Sequence, residues 1–126
     1  MMPRILIVDD EVDFVELLKF RLARLDCELL VAYDGVQALS QARQFKPDLI
    51  LLDILLPDVD GLSVCQMLRR QPSSKTTPII FMSALTSEVT RRTVAVQAED
   101  FFTKPLDLVR LEKRIGELLN ITPVTS

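Results

Sequence analysis

A regular alternation of short apolar runs with longer segments of helical periodicity constrains the fold of this chain more than any other feature. The apolar runs occupy residues 4–8, 28–32, 49–52, 79–82 and 100–102, and segments of helical character fall at about 11–25, 35–44, 62–70, 87–97 and 106–119. Short, almost wholly apolar runs are typical of strands buried on both faces, and strands joined through helices must run parallel. Right-handed crossovers then predict a doubly wound α/β domain, a five-stranded parallel sheet with helices on both faces.

The size of the chain fits a single domain, which we expect to span residues 3–120 and to be followed by a flexible C-terminal tail at 121–126. The hydrophobic share of 48% argues against intrinsic disorder. The formal net charge of −3, with acidic and basic residues intermixed, argues against direct binding to nucleic acid. No apolar run reaches the roughly 18 residues that a membrane helix needs, and no cleavable signal is visible, so we expect a cytoplasmic location.

The chain contains no histidine, which excludes nucleophiles activated by histidine and zinc sites with histidine ligands. Cys27 and Cys65 are far apart and lack the spacing of metal ligands. We therefore interpret both cysteines as thiols of the core or of its boundary rather than as redox groups.

Polar side chains recur at the points where the predicted strands end. Asp9 and Asp10 follow the first strand, Asp53 the third, Ser83 the fourth and Lys104 the fifth. Ligands of open α/β sheets bind beyond the carboxyl ends of the strands, where the strand order reverses. The known doubly wound order 2-1-3-4-5 would make the first and third strands neighbours, so that the three aspartates share one crevice.

Three carboxylates in one crevice repel each other, and a divalent cation removes that cost. Mg²⁺ takes oxygen ligands in an octahedron, which two or three carboxylates and a backbone carbonyl suit well. Lys104 adds a positive group that could face a phosphate, and Ser83 could donate a hydrogen bond to it. A carboxylate nucleophile such as Asp53, a metal, a cation and a hydrogen-bond donor are together what phosphoryl transfer to an aspartate requires.

Each of these residues taken alone also has a simpler interpretation. Asp9 and Asp10 could cap the first helix, and Ser83 could be an ordinary turn residue. Lys104 alone is more often a solvated surface lysine. An unpaired carboxylate beside a buried strand is costly, so Asp53 is the hardest of the five to explain without a function. The functional interpretation depends on all five meeting at one edge of the sheet.

Four segments resemble, in their order and approximate spacing, the receiver domain of response regulators. They are residues 5–11 (ILIVDDE), 48–61 (DLILLDILLPDVDG), 78–84 (PIIFMSA) and 100–105 (DFFTKP). The similarity extends over about residues 3–120. It implies a flavodoxin-like fold with strand order 2-1-3-4-5. It also implies a phosphoacceptor role in two-component phosphorelay signalling rather than that of a turnover enzyme.

The resemblance implies the roles of individual residues at the acceptor site. Asp53 corresponds to the residue that is phosphorylated. Asp10 would bind Mg²⁺ directly, and Asp9 would bind it through a water molecule. The backbone carbonyl of Leu55 would be a further ligand beside Asp53.

Ser83 and Phe101 occupy the switch positions of the family. Ser83 would bond a phosphoryl oxygen and draw its loop inward, and Lys104 would pair with the phosphoryl group. The Lys104–Pro105 bond would be a cis peptide. The implied partners are a sensor histidine kinase or a histidine phosphotransfer protein, and a downstream protein that binds the face formed by the fourth helix, the fifth strand and the fifth helix.

Four positions depart from the usual pattern of the family. Gln97 and Asp58 stand where glycine is common, which affects the turn before the fifth strand and the loop after the third. Phe101 lacks the hydroxyl group of the commoner tyrosine, so it cannot anchor an inward position by hydrogen bonding. Leu55 places an apolar side chain beside the phosphate, where it would alter the rate of dephosphorylation.

Two other classes of protein stay open on these residues. A phosphatase-like enzyme with an aspartate nucleophile would usually carry an Asp-x-Asp pair, whereas Asp9 and Asp10 are adjacent. A flavodoxin-like cofactor module would need a glycine-rich phosphate loop, and the chain has only three glycines. A receiver-shaped scaffold that is never phosphorylated is a variant of this second class.

Overall fold

The computed structural model describes residues 2–84, 87, 90, 92 and 97–122. Within these residues it contains five strands, namely β1 (Arg4–Val8), β2 (Glu28–Ala32), β3 (Leu49–Asp53), β4 (Ile79–Ser83) and β5 (Asp100–Thr103). All of them run parallel in one sheet with the order β2-β1-β3-β4-β5. The predicted doubly wound topology is confirmed.

Among the described residues, four helices flank the sheet: α1 (Val12–Leu22), α2 (Gly35–Phe45), α3 (Gly61–Arg70) and the C-terminal helix (Leu108–Leu119). The first is shorter than the predicted range, because the chain tightens after Leu22 into a turn in which the N–H of Leu25 donates to the Leu22 carbonyl. The second ends as predicted before Pro47, with Lys46 in the left-handed conformation at φ 48°.

The helix predicted at 87–97 falls on residues of which the structure describes only 87, 90, 92 and 97, so that element stays a prediction. The domain range 3–120 and the flexible tail at 121–126 also stay predictions. No helix among the described residues has both the length and the apolar character needed to cross a membrane.

The sheet separates two apolar cores, because successive side chains of a strand point to opposite faces. Leu6 and Val8 of β1 pack with α2 and α3 on one face. Ile5 and Ile7 pack with α1 and the C-terminal helix on the other face. Residues of β1, β3 and β4 contribute to both cores, which explains why these strands are almost wholly apolar.

The two cysteines lie at the core and at its boundary, as predicted. Cys65 is buried in the core beneath α2 and α3, and Cys27 is half-buried at the edge of the other core. Burial raises the pKa of both thiols, which disfavours the reactive thiolate form.

The register of the sheet aligns the ends of the central strands. Val8 of β1 is opposite Leu52 of β3, and Asp53 at the end of β3 is opposite Met82 of β4. Asp9, which directly follows Val8, therefore lies at the same carboxyl edge as Asp53.

Candidate functional site

The three aspartates that the sequence predicted in one crevice do meet there. Asp9 follows β1, Asp53 ends β3, and Asp10 is the neighbour of Asp9 in the chain. One carboxylate oxygen from each lies within 4.8 Å of the others. Asp9 and Asp53 are buried, whereas Asp10 is exposed. Such a set of oxygens, open to solvent on one side, suits a hard divalent cation.

Local hydrogen bonds orient the two buried carboxylates. Asp9 Oδ1 accepts the N–H of Glu11 at 2.9 Å, and Asp53 Oδ1 accepts the N–H of Leu55 at 3.1 Å. Each aspartate thus uses one oxygen to bond the loop that follows its strand. The N-cap position of α1 is Glu11 rather than Asp9 or Asp10, although the Asp9 carboxylate accepts the N–H of Glu11 at the start of the helix.

Lys104 is the cation of the cluster. Its Nζ donates to Asp9 Oδ2 at 2.8 Å, to Glu11 Oε1 at 3.0 Å and to Asp53 Oδ2 at 3.1 Å. The ammonium lies 4.4 Å from the centre of the Phe14 ring, within range of a cation–π contact. Only 14% of the lysine side chain is exposed, so its interpretation as a solvated surface residue is wrong. Its bond to the following proline is cis, as the resemblance implied.

The surroundings of the cluster shift the protonation equilibria of Asp53 and Lys104. Burial raises the pKa of Asp53 to about 6, and the charge of Asp9 acts in the same direction. The hydrogen bonds from Lys104 and from the N–H of Leu55 oppose that rise. Burial alone would lower the pKa of Lys104, but its hydrogen bonds to Asp9, Glu11 and Asp53 outweigh burial and raise the pKa above its ordinary value. In the metal-free protein, Asp53 is therefore costly to ionise while Lys104 stays charged.

Ser83 joins the same edge as the last residue of β4. It is fully buried and lies opposite Thr103 of β5 in the parallel register. Its backbone carbonyl accepts the N–H of Lys104 at 2.8 Å. Ser83 belongs to a buried strand, so its interpretation as an ordinary turn residue is wrong. Because its carbonyl accepts the N–H of Lys104, a movement of the Ser83 backbone would also move Lys104.

Phe101 and Leu55 lie beside the cluster rather than in it. Phe101 is opposite Phe81 within β5 and β4, and it packs half-buried against the core beneath α2 and α3. Leu55 lies just beyond β3 and is 52% exposed. Any role of Leu55 as a metal ligand thus falls to its backbone, and the switch role of Phe101 stays a prediction.

Three contributors to the site were missing from the predicted set, namely Glu11, Phe14 and Gly61. Glu11 and Phe14 are three residues apart at the start of α1 and both contact Lys104, a helical spacing that could have indicated a shared partner. A Cβ at Gly61 would lie 2.1 Å from the carbonyl oxygen of Asp53, so α3 can begin against the end of β3 only with glycine there. The sequence did carry a signal for Gly61, because it is the last residue of the second segment that resembles the family.

An apolar groove of about 430 Å³ adjoins the cluster. It is lined by Glu11, Phe14, Leu17, Ala84, Lys104, Pro105, Leu106 and Leu108. Arg21 of α1 bonds the buried Glu112 of the C-terminal helix, an ion pair that connects these two helices. Phe20, three residues beyond Leu17 in α1, is 81% exposed.

Comparison with known proteins identifies the family. The profile described as the response regulator receiver domain matches residues 5–116. The chain belongs to this family. The receiver domain is 37% identical over 123 residues to the DNA-binding dual master transcriptional regulator RpaA of Synechocystis, and the alignment covers 96% of this chain and 51% of RpaA.

Solved structures agree with that assignment. A putative response regulator from Chloroflexus aurantiacus matches with a TM-score of 0.88 and 30% identity over 95% of this chain and 99% of that one. The chemotaxis response regulator CheY4 of Vibrio cholerae matches with a TM-score of 0.85 and 28% identity over 94% of this chain and 99% of that one. The flavodoxin-like fold implied by the sequence is thus confirmed.

Family membership gives the receiver domain the role of a phosphoacceptor in two-component signalling, as the sequence predicted. The relatives named above are described as regulators, not as phosphatases or cofactor-binding proteins. The chain spans about half the length, or less, of the curated relatives that it matches.

We expect Asp53→Asn to stabilise the metal-free receiver domain at neutral pH. The folded-state pKa of Asp53 is raised to about 6, above the value of about 3.9 in an unfolded chain. Stabilisation from its protonated form is therefore complete below about pH 4 and is lost as the pH rises through 6. Over this window the wild-type free energy of unfolding should fall by about 2–3 kcal/mol relative to the variant, measured by urea denaturation with EDTA.

Asp58→Asn is a matched control, for which the change in stability should depend on pH in the opposite direction. The N–H of Gly35 and further backbone N–H groups lower the pKa of Asp58, so its stabilising contribution is present above about pH 4 and is lost as the pH falls. Saturating Mg²⁺ should remove the advantage of Asp53→Asn, because a divalent cation at the three carboxylates would favour the ionised form of Asp53. A stability difference for Asp53→Asn that stayed constant across the window would contradict the raised pKa.

Proposed function

We propose that Asp53 accepts a phosphoryl group from a phosphohistidine on a sensor histidine kinase or a histidine phosphotransfer protein. The observation that supports this most is the meeting of a buried carboxylate, further carboxylates within 4.8 Å and the ammonium of Lys104 at 3.1 Å. Phosphoryl transfer needs a nucleophile and neutralisation of the phosphoryl oxygens, and this edge of the sheet offers both. Since residues 1–126 contain no histidine, the phosphohistidine must come from outside these residues.

Mg²⁺ is the cofactor that we propose for the site. Asp10, Asp53 and the backbone carbonyl of Leu55 would bind it, with Asp9 acting through a water molecule. The donor chemistry supports this choice, because every donor is a hard oxygen and the exposed Asp10 leaves room for the waters that Mg²⁺ retains. When bound, the ion supplies positive charge that neutralises phosphoryl oxygens.

In the proposed transfer, a carboxylate oxygen of Asp53 attacks the phosphorus in line with the P–N bond of the phosphohistidine. The new O–P bond makes an acyl phosphate. The P–N bond breaks with its electron pair going to the imidazole nitrogen, which then takes up a proton. Lys104 exchanges its bond to the Asp53 carboxylate for one to a phosphoryl oxygen, a charge-assisted bond worth about 1.5–3 kcal/mol.

The switch that we propose begins at Ser83, whose hydroxyl donates to a phosphoryl oxygen. Its carbonyl holds the N–H of Lys104, and β4 pairs with β5, so an inward movement at Ser83 also displaces Phe101. One bond of about 1.5 kcal/mol shifts a two-state equilibrium by about tenfold. A downstream protein binds the remodelled face formed by the helix predicted at 87–97, β5 and the C-terminal helix.

The phosphodonor, in this proposal, docks on the groove beside Lys104. A donor that delivers a phosphoryl group to Asp53 must cover this edge of the sheet, and the groove shares Glu11 and Lys104 with the site. Leu17, which lines the groove, and Phe20, three residues further along α1, are exposed apolar side chains.

A switch differs from a turnover enzyme in how its acceptor is regenerated. Asp53 takes one phosphoryl group per cycle and stays occupied until the acyl phosphate is hydrolysed or its phosphoryl group is transferred onward. We therefore propose that the receiver domain controls a partner rather than processing a substrate. The cytoplasmic location and the lack of direct nucleic-acid binding stay predictions.

Incubation of the wild type with Mg²⁺ and acetyl phosphate should add the mass of one phosphoryl group. The measurement is intact-mass spectrometry. Asp53→Asn should gain none, because it lacks the nucleophilic carboxylate. Asp60→Asn is the matched control, since its carboxylate caps α3 by accepting the N–H of Ser63 and lies outside the cluster. This control should label at the wild-type rate. Equal labelling of Asp53→Asn and the wild type would rule out Asp53 as the acceptor.

Ser83→Ala should accept the phosphoryl group but show a weaker structural response, because the hydroxyl donor is lost. The measurement is the set of amide NMR shift changes that phosphorylation produces, compared between variant and wild type. Ser63→Ala serves as the control. The Ser63 hydroxyl donates to the Asp60 carboxylate at 3.0 Å, and this hydrogen bond lies outside the site. An unchanged shift pattern in Ser83→Ala would exclude the switch role.

Phe20→Ala should slow phosphotransfer from an autophosphorylated histidine kinase by about fivefold or more, because a buried interface aromatic is commonly worth over about 1 kcal/mol. Labelling by acetyl phosphate should not change, since the small donor needs no docking surface. Kinases encoded in the source genome, screened for transfer to the wild type, provide the donor. Met67→Ala on α3, at the opposite face of the sheet, is the control for an exposed apolar residue. Equal transfer to Phe20→Ala and the wild type would place donor docking elsewhere.

A further inference from the structure

Hydrogen bonds fasten the loop between β3 and α3 at two points, once across its own base and once to the start of α2. At its base, the N–H of Gly61 donates to the carbonyl of Ile54 at 2.7 Å. In its middle, the Asp58 carboxylate accepts the N–H of Gly35 at 2.8 Å through Oδ1 and the N–H of Val36 at 3.0 Å through Oδ2. The β3–α3 loop is thus fastened to the first turn of α2.

Helix α2 has a cap of its own and does not need Asp58 for that purpose. Asp34 is the N-cap, and its Oδ1 accepts the N–H of Gln37 at 2.7 Å. Asp58 instead bonds the two N–H groups before Gln37, which have no partner inside the helix. Its bonds therefore connect two separate loops at the carboxyl edge of the sheet.

Close packing accompanies this tie. A Cβ at Gly35 would lie 2.9 Å from Val64 of α3 and 3.1 Å from the Cβ of Val59 in the loop. The start of α2 and the loop are therefore in contact through backbone and small groups. This leaves the loop little space to shift while Asp58 keeps both of its bonds.

Leu55 lies between the two ties. Its side chain is exposed, so packing does not fix it, and its N–H donates to Asp53 Oδ1. The position of its carbonyl therefore depends on the course of the loop backbone. The bond between Ile54 and Gly61 sets that course on one side, and Asp58 sets it on the other.

We propose that Asp58 is a positioning residue for the metal site, because it fastens the β3–α3 loop to α2 and thereby holds the Leu55 carbonyl where Mg²⁺ binds. The inference rests on the proposed function, in which that carbonyl is a metal ligand. Glycine, common at this position in the family, could not make the two bonds. Loss of the tie weakens Mg²⁺ binding while the carboxylates of Asp9, Asp10 and Asp53 are retained.

The test is a Mg²⁺ titration of the unphosphorylated receiver domain by isothermal calorimetry. Asp58→Ala should bind Mg²⁺ about 10-fold more weakly than the wild type, as is typical when a group that orients a metal ligand is removed. Asp58→Asn keeps one acceptor oxygen and should lose less affinity. Asp34→Ala removes the cap of the same helix but keeps the loop tie, so it should bind Mg²⁺ like the wild type.

Wild-type affinity in Asp58→Ala would overturn the inference. So would an equal loss in Asp34→Ala, because Asp58 would then act only through the stability of α2. Urea denaturation shows whether each variant is folded. If Asp58→Ala is unfolded, the Mg²⁺ affinity of Asp58→Asn is the deciding measurement. Wild-type affinity in Asp58→Asn would then contradict the positioning role.

Asp10→Asn separates this inference from the proposed function. If Asp10→Asn binds Mg²⁺ as well as the wild type, the proposed metal site itself is wrong. If Asp10→Asn loses affinity while Asp58→Ala does not, the metal site stands and only the role of Asp58 is wrong.

Discussion

Among the described residues at the carboxyl edge of the sheet, one ammonium group balances several carboxylates, and the arrangement of the edge depends on it. Lys104 bonds Asp9, Glu11 and Asp53 at the same time, and its side chain is largely buried. Burial and the charge of Asp9 raise the pKa of Asp53 to about 6 despite the hydrogen bond from Lys104, so further positive charge would favour its ionised form. A divalent cation would supply the missing positive charge. The carboxylate cluster is therefore suited to bind such an ion.

The same lysine connects the chemistry of the edge to the fold. Its backbone N–H is held by the carbonyl of Ser83, and its ammonium lies over the ring of Phe14 in α1. In the proposed function, a change of charge at Asp53 would alter what Lys104 bonds and would thereby act on β4 and on α1 together. One event at the acceptor can in this way affect both the surface beside the groove and the pair formed by β4 and β5.

Much of this arrangement follows from the sequence because it depends on periodicity and on where strands end. Parallel strands bring their carboxyl ends to one edge, so Asp9, Asp53 and Lys104 converge in any chain that adopts this strand order. The contacts of Glu11 and Asp58 could not be predicted in that way. Glu11 meets Lys104 across 93 residues, and Asp58 meets the start of α2 across 22 and 23 residues. Such contacts depend on side-chain rotamers and loop courses that tertiary packing selects.

The two halves of the proposed site have opposite mechanical requirements. Mg²⁺ demands near-ideal octahedral geometry, so the loop that carries Leu55 benefits from being tied by Asp58 to a helix. The other half, at Ser83 and Phe101, must change position if phosphorylation is to reach a partner. Phe101 has no hydroxyl group to anchor an inward position, so packing against the core beneath α2 and α3 decides where its ring rests. Because a packed core favours discrete arrangements over gradual ones, a phenylalanine at this position is compatible with a two-state switch.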